Sequence, residues 1–524
     1  MTVHEAQTAG TRTPAKATRR EWIGLAVIAL PCLVYAMDLT VLNLALPAIS
    51  AELRPTSAQL LWIVDIYGFL VGGFLITMGT LGDRIGRRKL LLAGAVAFGL
   101  ASIVAAFATS AEMLIAMRAA LGLAGATLAP STMSLIRNMF GDEHERQFAI
   151  GVWIASFSVG AAIGPLVGGV LLQFFWWGSV FLVAVPVMVL LLLLGPKLLP
   201  EYRDPNAGRI DLASVVLSLA AVLAVIYALK RFAEGGLAWP PALLLAAGLI
   251  VGVTFVRRQR RLAYPLLDLR LFAQAKFSAA IAAYALSSLA MFGVYIFITQ
   301  YLQLVLGLTP LAAGVATLPW ALVFVIGSLV APRLARRFAP VSILVWGLAL
   351  TALGFAMLAL VDGSHPLAVL VAATVVISTG LAPVLTIGNE MIITAAPPER
   401  AGAASALSET SAEFSGALGI AVFGSLGTVL YRSGLGEALP TGVPPATAAD
   451  ALATLGGAMA AAATLPAHAG DALRVAAAGA FTDALQFNAL VGAAIVLAAS
   501  LAAARILRGA GAVVGPAGRE GAGE

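Results

Sequence analysis

Along this chain apolar residues gather in long runs, and the polar stretches between them are short and carry clustered charge, Pro and Gly. A helix needs about 20 apolar residues to cross the hydrocarbon core of a bilayer. Fourteen runs meet that length: 24–46, 59–81, 90–109, 112–136, 147–172 and 177–196, then 211–229 and 240–256, then 277–302, 310–331, 341–361, 366–393, 401–430 and 484–507. The pattern predicts an all-α polytopic membrane protein. The longest connection is 431–483, and its Ala-rich stretch 446–481 is expected to form surface helices.

Composition agrees. Of 524 residues 60% are hydrophobic and 11% charged, roughly half the charge of a soluble domain, which excludes an ordinary soluble enzyme and a disordered chain. The net charge of +6 would suit a nucleic-acid partner, but its placement says otherwise. With the N-terminus inside, 26 of the 32 Lys and Arg fall in cytoplasmic segments or at the span ends beside them, as a membrane-orientation bias requires. Arg54, Lys230, Arg231, Arg432 and Arg474 fall outside, and Arg118 lies within a span. Both termini are therefore expected in the cytoplasm, and the first run, about 23 residues without a small-residue cleavage site, is a span rather than a signal peptide. Cys32 is the single cysteine, so no disulfide or thiol metal cluster is available.

A repeat sharpens the picture. The loop after span two contains Gly79, Gly82, Asp83, Arg84, Gly86, Arg87, Arg88 and Lys89, and the loop after span ten holds a decayed copy ending in Arg333, Arg336 and Arg337. The equivalence implies a tail 1–23, a six-helix half 24–196, an inserted two-helix segment with linker 197–276, a second six-helix half 277–507 and a tail 508–524. Parallel halves of this kind place a transport site between them near the midplane.

Several residues stand out against this background. In the loop, Asp83 is expected at the start of helix three, where the helix dipole favours a carboxylate. Its arginines are expected to pair with acids or carbonyls of the other half; alternatively they serve topology alone. Span five carries Gly160, Gly164, Pro165, Gly168 and Gly169, a flat and bendable packing face. Asp38 in span one lies about 14 residues, or roughly 21 Å, from the cytoplasmic end. A carboxylate that deep must be paired, hydrated or protonated, so it suits proton or cation binding, or else it is a packing element satisfied by Thr40, Asn43 or a neighbouring helix. Asp65 in span two is as readily a structural or vestibule group as a transport residue. Arg118 in span four cannot lose its proton in practice, so it fits an anchor for a nearby acid or a structural role. Glu409 and Glu413 in span thirteen share one helix face and repel, so at least one should hold a proton, unless cytoplasmic water reaches them. Glu390 reads as interfacial. Tyr35, Trp62, Tyr67, Trp153, Phe157, Tyr295 and Trp320 are candidate cavity aromatics, which attract organic cations, although each alone is equally a packing or lipid-facing residue.

The Gly79–Lys89 loop, the glycine face of span five, the acids of spans one and two, and Arg118 together resemble the major facilitator superfamily, and within it the fourteen-helix drug:proton antiporters. The resemblance implies the superfamily fold with helices as 6+2+6 and alternating access in a bacterial plasma membrane. It also implies export of lipophilic cations, dyes and quaternary ammonium compounds in exchange for protons. In relatives the Gly160–Gly169 face is the antiporter motif, and acids recur in span thirteen. Span ten lacks the extra acid of relatives that handle divalent cations, which favours monovalent ones. The proton motive force replaces any cofactor, lipid is the surrounding partner, and a monomer suffices. No Gly precedes any of the five Lys residues, so a phosphate-cradling ATP motif is missing. The four His are scattered among loops, which leaves no metal site and no sign of enzymatic chemistry. Dedicated export of a metabolite or antibiotic is the alternative within the class; a non-transporting membrane sensor is the alternative outside it.

Overall fold

The computed structural model describes residues 16–203, 211–235, 239–262, 265, 269–362, 365–395, 401–441 and 443–512. Among them every regular element is helical and no strand occurs. The long helices are α1 Arg19–Leu53, α2 Ser57–Ile85, α3 Arg87–Ala106, α4 Ala111–Met139, α5 Glu143–Phe174, α6 Ser179–Leu198, α7 Leu212–Gly235 and α8 Trp239–Gln259. They continue as α9 Ala275–Gln300, α10 Pro310–Ala335, α11 Pro340–Leu358, α12 Pro366–Ala395, α13 Ala401–Glu437 and α14 Ala467–Ala512. Thirteen are long and apolar enough to span a membrane, and α5, whose pieces Phe148–Ala161 and Ile163–Phe174 meet at 41°, makes fourteen. The protein is a multi-pass membrane protein, as the fourteen apolar runs predict. The bend has a local cause: Pro165 lacks the N–H that would bond the carbonyl four residues back.

Capping side chains start several helices. Thr18 and Glu21 form a capping box on α1, Thr56 and Gln59 form another on α2, and each satisfies donors that a helix leaves orphaned. Between α2 and α3 the chain turns at Gly86, where φ is +115°. A side chain is strained in that region.

α5 packs along α1, α11 along α12, and α9 along α13. α7 and α8 form an antiparallel pair; α7 lies on α2 and α13, whereas α8 packs on α7 and on no other span to a comparable extent. One face of the bundle holds the N-terminus of α1, here called the Arg19 face. The contacts between α1–α6 and α9–α14 run from the middle of the bundle to the opposite face. A methyl group on Gly169 would stand 2.8 Å from the Pro310 carbonyl oxygen, and one on Gly314 2.5 Å from that of Pro165. Gln303 donates to the Leu44 carbonyl at 3.0 Å.

The connection 431–483 differs from its expectation. α13 continues to Glu437 and α14 already begins at Ala467, and the short helices Pro445–Ala453 and Leu455–Ala462 lie between them. The second of them is not a surface helix. Leu455, Ala458 and Ala462 are buried, Gly456 meets Ser50 and Pro47 of α1, and Ser57 donates to the Ala453 carbonyl. Alanine and glycine present almost no side chain, so this segment can press against the ends of α1 and α2 and cap the opposite face.

Candidate functional site

Four helices bring the singled-out polar residues together midway through the bundle. Asp38 of α1 accepts a 2.5 Å hydrogen bond from Nη1 of Arg118 on α4. The Arg118 side chain is 1% exposed. Its Nε donates to the Ile63 carbonyl of α2 at 3.0 Å, and its guanidinium carbon lies 4.5 Å from the centre of the Tyr67 ring. A buried guanidinium thus meets a carboxylate, a carbonyl and an aromatic face, which compensates the cost of removing its charge from water. Asp38 is satisfied by the neighbouring helix and not by its own: Thr40 bonds the Met37 carbonyl and Asn43 the Leu39 carbonyl. Asp65 is buried in α2 nearby.

One turn before Asp38, Tyr35 donates from its hydroxyl to Oε1 of Glu413 at 2.8 Å. This bond joins α1 to α13 and so crosses between the first and last helix sets. α13 approaches α2 closely enough here that methyl groups on Gly68 and Gly72 would touch Ala417 and Phe414 at 3.2 and 3.3 Å. Glu409, one turn along the same face, is exposed. Tyr284 of α9 lies within electrostatic reach of both acids. Nothing in its sequence surroundings marks Tyr284 out, because a lone tyrosine in an apolar run reads as packing.

The aromatics divide. Tyr35 lies 5.9 Å from Tyr67 and 5.7 Å from Phe157, which itself stands 4.7 Å from Trp153; Trp153 donates to Thr132 at 2.9 Å. Tyr295 and Trp320 form a second pair, 4.8 Å apart, on α9 and α10. Trp62 goes elsewhere, packing against the cluster of Phe69, Ile226, Ala417 and Ala421 where α2, α7 and α13 meet. Glu390 is exposed near the end of α12. The described residues contain no group of His, Cys, Asp and Glu able to hold a metal ion.

The Gly79–Lys89 loop is wired differently from the expectation. Asp83 lies in the last turn of α2, not at the start of α3, because the helix runs on to Ile85 before Gly86 breaks it. It pairs with Arg87 at 2.5 Å. The carboxylate at the α3 N-terminus is that of Glu201, which accepts from the Arg88 backbone N–H at 3.1 Å. The arginines also stay within their own helix set. Arg87 donates to the Pro130 carbonyl and Arg88 to those of Pro196 and Leu199. Bonds across to α9–α14 would need the two sets to meet at this face, and the contacts between them lie deeper.

The glycine face of α5 serves close packing on both sides. A methyl group on Gly160 would come within 2.1 Å of the Leu33 carbonyl oxygen, and one on Gly164 within 2.0 Å of the Thr40 hydroxyl. Gly168 faces Val41 of α1, while Gly169 and Pro165 meet α10. One helix therefore locks α1 in place and forms part of the seam with the second set.

Comparison with known proteins agrees with this geometry. The sequence profile of the Major Facilitator Superfamily matches residues 28–420. The chain is 46% identical to the multidrug efflux pump LfrA of Mycolicibacterium smegmatis, covering 94% of this chain and 96% of that protein. It is 35% identical to the methyl viologen resistance protein SmvA of Salmonella typhimurium, covering 88% and 93%, and 34% identical to the puromycin resistance protein of Streptomyces alboniger, covering 82% and 86%. Among solved structures it is similar in fold to a bacterial homologue of the human lysosomal transporter Spinster in an inward-facing, unoccupied conformation. There the TM-score is 0.65 and the identity 18%, with 94% of this chain and 99% of that one covered. Fourteen apolar helices, a glycine-faced α5 and a buried Asp38–Arg118 pair are thus joined to a profile match over most of the length, and the chain belongs to the Major Facilitator Superfamily.

Proposed function

We propose that this protein is a proton-coupled antiporter that exports lipophilic, mainly monovalent cations from the cytoplasm by alternating access. The Tyr35–Glu413 hydrogen bond beside the Asp38–Arg118 pair carries the proposal. It puts one ionisable acid from each helix set next to the seam between the sets, where protonation and reorientation act on the same contact. The helices group as 6+2+6, with both termini in the cytoplasm. The Arg19 face is then cytoplasmic, and the bundle, closed at the opposite face, is inward-facing.

In this state an ionised Glu413 or Asp38 attracts a cation entering past the exposed Glu409, and the Tyr35, Tyr67 and Phe157 rings offer it aromatic faces. Closing the cytoplasmic side and opening the far side brings the acids to a medium richer in protons. Protonation there removes the charge that held the cation, which leaves. Tyr35 donates to Glu413 and Arg118 to Asp38, so each carboxylate keeps a hydrogen-bond donor when the cation has gone. Proton release to the cytoplasm restores the starting state. Moving each net charge through 100 mV supplies about 2.3 kcal/mol, and no cofactor is needed. The protein works as a monomer.

Everted vesicles loaded with a proton gradient test this. A lipophilic monovalent cationic dye should be taken up, with uptake abolished by a protonophore. Glu413→Gln should leave any remaining flux independent of pH. Absence of proton-linked flux across a broad panel refutes the proposal. The likeness to the puromycin resistance protein favours, as a second reading, export of one antibiotic by the same coupling; uptake of a single compound from the panel would select it.

A further inference from the structure

One large cavity lies away from the Asp38–Arg118 pair. It is a groove of about 1040 Å³ between α8 and the body of the bundle, walled by α2, α7, α9 and α13. Its walls are apolar, with Phe69, Leu219, Leu249, Val253, Ile281 and Phe414 among them. The groove exists because α8 packs only on α7 to any extent, where Gly248 and Gly252 let it lie close to Ala221, and its other flank stands away from α9. In a bilayer such a space cannot remain an apolar void; acyl chains or a lipophilic solute fill it.

Charge decides which. Among the described residues the only ionisable groups lining the groove are Arg257 and Arg260, at the end of α8 on the Arg19 face, and no acid lines it. Between them Arg258 is already neutralised: it makes two hydrogen bonds to Asp211, of 3.1 and 2.9 Å, tying α8 to the start of α7. Arg257 and Arg260 are exposed and form no ion pair among the described residues. Two uncompensated cations repel a cationic cargo and attract an anionic headgroup. The dimensions agree. Gly248 and Arg260 both line the groove and are twelve residues apart, about 18 Å along a helix, close to the depth of one leaflet of a core about 30 Å thick.

We infer that the groove between α8 and α9 is a binding site for an anionic phospholipid of the leaflet at the Arg19 face, its acyl chains along α2, α7 and α13 and its phosphate at Arg257 and Arg260. The bound lipid completes the packing of the α7–α8 pair, which the protein leaves open.

Native mass spectrometry of the purified full-length protein, titrated separately with phosphatidylglycerol and phosphatidylcholine, tests the site. The unmodified protein should retain phosphatidylglycerol in preference. Arg257→Ala with Arg260→Ala should weaken that retention by roughly thirtyfold and weaken phosphatidylcholine, whose phosphate is offset by choline, much less, whereas the double lysine variant should keep most of it, since a phosphate needs only the charge. Both arginines are exposed, so unchanged thermal melting shows that the fold survives. Gly252→Phe, which fills the groove, should reduce retention of both lipids. Undiminished phosphatidylglycerol binding in the double alanine variant overturns the inference. So does stoichiometric displacement of the lipid by a cationic dye, which would assign the groove to cargo.

Discussion

Replacing Asp38 with asparagine separates charge from shape at the centre of the proposed site. Asparagine keeps an oxygen where Arg118 Nη1 now finds one at 2.5 Å, but the pair loses its negative partner. Breaking a buried ion pair from one side costs about 3–5 kcal/mol because the other charge stays behind. Here the lower end applies: Arg118 keeps the Ile63 carbonyl at 3.0 Å and the Tyr67 ring at 4.5 Å, and the amide oxygen still accepts. A loss of about 3 kcal/mol, against a folding stability of about 5–15 kcal/mol, leaves a folded, inserted protein. Proton-driven dye uptake in everted vesicles should nevertheless fall to background, because no ionisable group remains at that position. Adding Arg118→Met should recover stability, since apolar replacement of a buried pair is often neutral or favourable, without recovering transport. Wild-type uptake with a normal pH profile in Asp38→Asn removes Asp38 from the mechanism, and a melting shift worth less than about 1 kcal/mol refutes the energetic account of the pair.

Two further outcomes follow from the packing. Gly164→Ala should lower thermal stability by about 1–3 kcal/mol and depress uptake, because its methyl group would meet the Thr40 hydroxyl at 2.0 Å, two residues from Asp38. Gly151→Ala on the same helix meets nothing within 4 Å and should be stabilising by up to about 1 kcal/mol; equal effects in melting assays would contradict the packing argument. The hydrogen bond from Arg258 holds the Asp211 carboxyl down to about 2. A depressed carboxylate stabilises the fold above its unfolded value, about 3.9, and that contribution is lost as pH falls through about 2. Asp211→Asn should therefore lower the melting temperature near neutrality, with the difference from the unmodified protein closing as the pH falls from about 4 towards 2.

Much of the fold was legible because the bilayer imposes a length. Spans such as 310–331 and 366–393 could be drawn from apolar runs alone and lie within α10 and α12. Asp38, Arg118 and Glu413 were legible as individuals, since charge inside an apolar run is costly and therefore conspicuous. Their partners were not. Asp38 and Arg118 are 80 residues apart and Tyr35 and Glu413 are 378 apart, and nothing local to either residue names the other. Glu201 shows the same limit, because it lies 113 residues from the N–H it accepts and sits in a stretch that reads as linker. In 431–483 the failure has a different source: alanine and glycine satisfy a surface helix and a tightly buried one equally well.

The number of spans, the gathering of arginines in alternate connections and the inventory of buried charge follow from composition along the chain, since each depends only on whether a segment prefers water or lipid. Which acid faces which donor, which arginines of the Gly79–Lys89 loop stay within their own helix set, and where a groove is left for lipid were decided by tertiary packing. These depend on distances between helices, and a helix approaches its neighbour only as closely as the side chains of both allow.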